Sequence, residues 1–143
     1  MRVAVDANTI LSGLFFRGNE RTLLLASLRK EVVLVFAEDV VDEVYAVAAE
    51  TFRDHADFPG ALDLLELVFG TGELIPRATY EGQVSHWAQR LRDATDAPVV
   101  ACAVQARAEG LVTGDRDLVD LGEVGEIRVY RTRRLLERLA GED

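Results

Sequence analysis

Residues 1–13 read MRVAVDANTILSG, and the reading of this stretch decides the fold. Val3, Ala4 and Val5 form the short apolar run of a buried strand. The run stops at Asp6, followed by Ala7, Asn8 and Thr9. A carboxylate directly after an apolar strand either caps the next helix or belongs to a site.

Working outward, strand-like and helix-like runs alternate. Leu11 to Lys30 reads as helical, with a break near Gly18-Asn19, and EVVLVF at 31–36 as a Val-rich strand. A long amphipathic helix runs from Glu38 to about Phe52. Ala61 to Val68 suggests another, with Phe58-Pro59-Gly60 as the break before it. GELIP at 72–76 is a short strand closed by Pro76. Helical character returns at Glu81–Leu91 and Ala97–Glu109, strand character at LVT 111–113 and EIRVY 126–130, and Thr132–Leu139 closes as a helix. Strands interleaved with helices predict an α/β fold, a parallel sheet with helices on both faces. Without repeats or linkers, residues 1–143 read as one domain.

Bulk composition narrows the function. The hydrophobic fraction of 49% supports a core, and the net charge is −9. An acidic surface repels nucleic acid, so binding one would need a local basic patch or bound cations. The single cysteine, Cys102, excludes an internal disulfide and reads as a small core residue. No apolar stretch is long enough for a membrane span, and no signal-peptide pattern opens the chain. The expectation is a soluble, cytoplasmic protein.

In open parallel sheets, sites form beyond the carboxyl ends of the strands. Asp6 ends the first strand there. Asp115 and Asp117 follow LVTG, and Asp93 and Asp96 precede the helix at Ala97, so the topology brings acids far apart in sequence to one edge. EDVVDEVYAV adds Glu38, Asp39, Asp42 and Glu43. At about 100° per residue, Val40, Val41, Val44, Tyr45, Val47 and Ala48 form one wide apolar face. Asp42 falls opposite its centre, Asp39 well outside one edge, and Glu38 near the other edge, where the helix starts. Glu43 lies beside Val40 and Val47, and is the acid of the four aimed at a site.

Carboxylates that converge repel one another, so either some hold protons or a cation neutralises them. Oxygen-only ligands suit Mg²⁺ or Mn²⁺ rather than structural Zn²⁺, and His55 and His86 stand alone. An acidic Mg²⁺ pocket can support in-line phosphodiester hydrolysis.

Each acid also has a structural role open to it. Asp6 could cap the next helix. Asp96 is a natural N-cap with Pro98 in the first turn behind it. Asp115 and Asp117 could be turn residues after Gly114. Leu23, Leu24, Leu25 and Leu28 read as core or interface, and Trp87 as packing. Asn8, Thr9 and Ser12 could cap a helix or orient a water. Arg131, Arg133 and Arg134 form either a solvated face or a phosphate-binding strip.

Taken in order, VAVDANTILSGLF, AEDVVDEVYAV and DATDAPVVACAVQARAEGLVTGDRDLVDLG resemble the PIN-domain family, in particular its VapC-like ribonuclease toxins of toxin–antitoxin pairs. The resemblance is weakest between about Thr51 and Gln89. It implies a Rossmann-like parallel sheet, an acidic pocket for Mg²⁺ or Mn²⁺, and RNA cleavage. Asp6, Glu43, Asp96, Asp115 and Asp117 match the family's acids, with Asp6, Asp96 and Asp115 as metal ligands. Asp93 matches the extra acid of a D-x-x-D form, Thr113 the threonine of T-x-D, and Asn8 a supporting polar position. Ala7 departs from the family's usual small hydroxyl residue, and Pro98 from a larger apolar one, but neither removes an acid.

The resemblance also implies a protein antitoxin and a homodimer. Arg17, Arg131, Arg133 and Arg134 are candidates for holding RNA. Three other readings stay open: a catalytically silent PIN-fold binding module, a DNA-directed nuclease, and a receiver-type phosphoacceptor. The last is disfavoured because Asp6 has apolar neighbours and the only lysine, Lys30, lies early in the chain.

Overall fold

The computed structural model describes residues 1–141. Its strands are β1 (Arg2–Val5), β2 (Val33–Ala37), β3 (Glu73–Ile75), β4 (Gly110–Val112), β5 (Glu123–Val124) and β6 (Ile127–Tyr130). Its helices are α1 (Ala7–Phe15), α2 (Asn19–Leu28), α3 (Glu38–Thr51), α4 (Phe58–Thr71), α5 (Arg77–Ala88), α6 (Ala97–Gln105), α7 (Arg116–Leu121) and α8 (Thr132–Leu139). A 3₁₀ turn over Ala94–Asp96 leads into α6.

The six strands form one sheet in the order β3-β2-β1-β4-β6-β5, parallel except for the β5–β6 pair. Right-handed crossovers send the helices between β1 and β3 to one face and those between β3 and β4 to the other. Accordingly α1 packs on α2, α3 and α4, while α5 packs on α6, and α6 lies against β1, β2 and β4. The middle strands are buried on both faces, which is why VAV and VLVF are unbroken apolar runs rather than alternations. Phe36 and Leu34 from β2, Leu111 from β4 and Leu65 from α4 lie in one contiguous core.

Local chemistry sets the helix starts. Asp6 is the N-cap of α1, and its Oδ1 accepts from the Thr9 amide at 2.9 Å. The cap of α5 comes from another helix: Pro76 offers no side-chain acceptor, and Glu38 Oε1 receives the Arg77 amide at 3.0 Å. The buried Tyr80 hydroxyl accepts the Asp39 amide at 3.1 Å and ties the start of α3 to α5. Gly13 permits the α1–α2 crossing, since a Cβ there would sit 2.6 Å from Leu24 Cδ1 and 2.9 Å from the Glu20 carbonyl oxygen.

Several boundaries differ from the sequence reading. Phe58-Pro59-Gly60 is not a break but the first turn of α4, where proline costs nothing because its missing N–H has no intrahelical acceptor. Helix α5 starts at Arg77 rather than Glu81, on the cap from Glu38. Helix α7 and strand β5, both short, lie between LVT and EIRVY, where the sequence suggested nothing beyond a turn after Gly114. Tyr45, placed on the apolar face of α3, is 42% exposed, as is Leu25 of α2 at 40%. Cys102 is fully buried. Among the described residues, no helix is long and apolar enough to cross a membrane.

The amino end of the sheet is tied by Arg2. Its guanidinium holds Glu73 through two nitrogens and donates to the Ala106 carbonyl at 2.8 Å. This hydrogen-bonded pairing holds the Glu73 carboxyl below its usual range. A lowered carboxyl contributes stability above its unfolded pKa of about 4.3 and loses it as pH falls through the folded value. Because the Glu73 side chain is 43% exposed, Glu73→Gln should cost no more than about 1 kcal/mol at pH 7. The cost should begin to shrink at about pH 4 and be lost as pH falls through the lowered folded value, read by urea unfolding along a descending pH series.

Candidate functional site

The strand register builds the site. Pairing of Val5 with Val112 sets the next residues, Asp6 and Thr113, side by side at the carboxyl edge. The buried Thr113 hydroxyl donates to Asp6 Oδ2 at 2.5 Å and accepts the Asp115 amide at 2.9 Å. Asp115 is the N-cap of α7, its Oδ1 receiving the amides of Asp117 (2.8 Å) and Leu118 (3.4 Å). One hydroxyl therefore fixes the carboxylate after β1 and the backbone of the loop after β4. Thr113→Val should cost about 1–2 kcal/mol, because it leaves the part-buried Asp6 carboxylate and Asp115 amide without their partner. Denaturant unfolding would read the loss.

Asp93 and Asp96 arrive from the loop before α6. Asp93 caps the 3₁₀ turn, accepting the amide and hydroxyl of Thr95 at 3.0 and 2.7 Å. Here the sequence reading needs correction. Asp96 is not the capping acceptor of α6: its backbone is already helical and its side chain makes no cap hydrogen bond. The capping acceptor in this segment is Asp93, which serves the 3₁₀ turn, and the Asp96 carboxyl lies beside those of Asp93 and Asp115 instead. Pro98 does stand in the first turn of α6.

Carboxylate oxygens of Asp93, Asp96 and Asp115 lie within 4.8 Å of one another. Burial, the hydrogen bond to Asp115 and the nearby charges of Asp115, Asp93 and Asp6 push the Asp96 carboxyl up to about 7. Such crowding is relieved either by a shared proton or by a cation. The donor set is all carboxylate oxygen, which fits a hard divalent ion of the Mg²⁺ or Mn²⁺ kind.

These acids line a cleft of about 420 Å³. Asp6, Asn8, Asp93, Asp96 and Asp115 line it, and Glu43, Asp39 and Val40 form the α3 wall. Glu43 is exposed rather than set against the core. The sequence reading missed Asp39: placed outside the apolar face, it nevertheless borders the cleft and pairs with Arg77. Helix periodicity held the signal, since Asp39, Val40 and Glu43 are spaced i, i+1 and i+4 along one flank. Thr95 was also missed, although its place in D-A-T-D makes it a natural partner of Asp93.

The remaining candidates fall elsewhere. Asp117 is outside this cleft and lines an adjoining one, where it faces Arg92 at 3.5 Å. Arg131 and Arg133 line a second neighbouring cleft. Arg134 pairs with Glu137 on α8. Arg17 lies in a groove with Leu14, Leu25 and Leu64 that shares no residue with the acidic cleft.

Sheet and cleft together define a parallel α/β domain whose carboxyl edge gathers acids suited to a hard cation. A family model described as PIN domain matches residues 2–117, and the chain belongs to the PIN-domain family. No curated protein matches it by sequence. Its fold is similar to that of PAE2754 from Pyrobaculum aerophilum, with a TM-score of 0.70, 17% identity, and coverage of 99% of this chain and 91% of that one. It is also similar to VapBC2 from Rickettsia felis, solved bound to a DNA fragment from their promoter (TM-score 0.63, 13% identity, 92% and 98% covered). FitAcB from Neisseria gonorrhoeae is a further neighbour (TM-score 0.59, 18% identity, 92% and 98% covered).

Proposed function

We propose that this PIN-domain protein is a divalent-metal-dependent endoribonuclease, acting as the toxin of a toxin–antitoxin pair. The observation that carries the reading is the convergence of Asp6, Asp93, Asp96 and Asp115, from three separate chain segments, on one cleft. Asp96 and Asp115 would hold the ion directly, with Asp93 or Asp6 completing the set. When bound, the cation supplies a Lewis acid and offsets the charge of the phosphodiester.

The chain's own groups have distinct tasks in this proposal. Thr113 fixes Asp6 in one orientation, so the carboxylate is preorganised rather than mobile. Glu43, on the α3 wall of the cleft and without an ion pair among the described residues, takes the proton of the attacking water. Asn8 at the cleft rim orients substrate or water. Asp117 serves through Arg92 rather than as a ligand.

An antitoxin partner is supported by the motif resemblance to VapC-like toxins and by the likeness to VapBC2 and FitAcB. Exposed Tyr45, Leu67 and Leu74 offer apolar surface for a homodimer. The same reading takes the protein to act on cytoplasmic RNA. The test is incubation of the purified protein with matched RNA and DNA oligonucleotides in Mg²⁺, Mn²⁺ or chelator. Cleavage of RNA alone, abolished by chelator, is expected. Cleavage of DNA in preference to RNA would reassign the substrate, and cleavage in chelator would remove the metal from the account.

A further inference from the structure

The α3 wall of the cleft carries two carboxylates, Asp39 and Glu43, and they are held differently. Glu43 is exposed. Asp39 Oδ1 instead receives the Arg77 guanidinium through Nε and a terminal nitrogen. Arg77 opens α5, just past the carboxyl end of β3, and does not itself line the cleft. It is fixed there from several sides. Its amide is capped by Glu38 Oε1 at 3.0 Å, and its guanidinium also meets Asp42 at 3.4 Å. The Asp39 amide in turn donates to the hydroxyl of Tyr80, a buried residue one turn further along α5. A permanent cation therefore stands behind one of the six acids of the cleft.

We propose that Arg77 is a built-in counter-cation for the α3 wall: it occupies Asp39, keeps a second divalent ion off the Asp39–Glu43 pair, and so confines the cleft to one ion. This rests on the metal-dependent reading above and adds to it the number of ions and the residue that sets it. The acids of the cleft fall into two groups. Oxygens of Asp93, Asp96 and Asp115 gather within 4.8 Å, and neither Asp39 nor Glu43 joins them. Asp39 and Glu43 stand at i and i+4 on α3, a spacing that lets two side chains of one helix face share an ion. Acidic phosphodiesterase clefts can work with two ions as well as one. Here the guanidinium already offsets the Asp39 charge and takes up its lone pairs, and it repels a second dication. It cannot lose its proton, so the block holds at any working pH. Arg77 and Asp39 are 44% and 27% exposed, so their pairing adds little to stability. Its consequence is for the cleft: Glu43 stays unligated and free to take a proton, whereas a second ion would bind it.

The test is Mn²⁺ binding to the purified protein without RNA, read by titration calorimetry for stoichiometry and by electron paramagnetic resonance for ion–ion coupling. The wild type should take up one tight ion with the spectrum of an isolated Mn²⁺. Arg77→Gln should admit a second, bound at least roughly tenfold more tightly than any second ion of the wild type, with a spectrum broadened by its neighbour. Arg77→Lys keeps a cation and should stay at one ion. Adding Asp39→Asn to Arg77→Gln should return the count to one, because the freed carboxylate is then gone. Glutamine retains the backbone amide that Glu38 caps, so the fold should hold; Arg77→Met gives the same reading should the glutamine variant melt early. Two ions of similar affinity in the wild type, one ion in Arg77→Gln, or a second ion that survives Asp39→Asn would each overturn the role of Arg77. One ion in both wild type and Arg77→Gln leaves the metal-dependent reading standing, whereas no ion in the wild type removes both.

Discussion

Asp6→Asn is expected to lower RNA cleavage by about a thousandfold while leaving the fold in place. The two effects separate because Asp6 does two jobs with different chemical needs. As the N-cap of α1 it needs only an acceptor for the Thr9 amide, and an asparagine oxygen serves there as well as aspartate. Its other terminus faces Thr113, whose hydroxyl can rotate to accept from an amide NH₂ while still receiving the Asp115 amide. The charge has no substitute. Asparagine is a poor ligand for a hard cation and cannot offset it among the remaining acids. Thermal unfolding of the variant should therefore stay within about 1 kcal/mol of wild type, while single-turnover cleavage collapses. A variant that cleaves at the wild-type rate would take Asp6 out of the site.

The second large effect runs in opposite directions for stability and activity. In the metal-free protein Asp96 is held up to about 7 by burial and by its carboxylate neighbours. The folded chain thus binds this proton more tightly than the unfolded chain. Stability falls as pH rises from about 4 through about 7, then levels off. Asp96→Asn removes the charge that must be crowded there at high pH. After discounting for solvent at this partly exposed group, the variant should be more stable than wild type by about 1–2 kcal/mol at pH 8 and equal to it near pH 4. The same substitution should abolish cleavage. Mn²⁺ should raise the melting temperature of the wild type more at pH 8 than at pH 6, since below about 7 it competes with the proton. No such rise is expected in Asp96→Asn. Destabilisation of that variant at pH 8 would contradict the crowding.

Much of this arrangement is legible in the sequence, because burial on both faces of a parallel sheet leaves unbroken apolar strands and abrupt acidic ends. VAV followed by Asp6, and LVTG followed by Asp115, mark the carboxyl edge without any coordinates. The sequence is less able to rank acids at that edge. Asp96 and Asp93 both fit a cap, and only the conformation of the 3₁₀ turn decides that Asp93 accepts while Asp96 turns toward Asp115. Asp117 differs from Asp115 by two positions, yet the start of α7 turns it away to Arg92. The basic groups were the least legible. Arg131 and Arg133 stand out as a cluster, whereas only the fold sets Arg92 against Asp117. Helix α7 and strand β5 are too short for periodicity to reveal.

The measurement that bears most directly on the central claim is single-turnover cleavage of an RNA oligonucleotide by the purified protein, in Mn²⁺ and in chelator, beside Asp6→Asn. The account predicts cleavage only by the wild type and only with the metal. Equal cleavage by both proteins, or cleavage that persists in chelator, would contradict it.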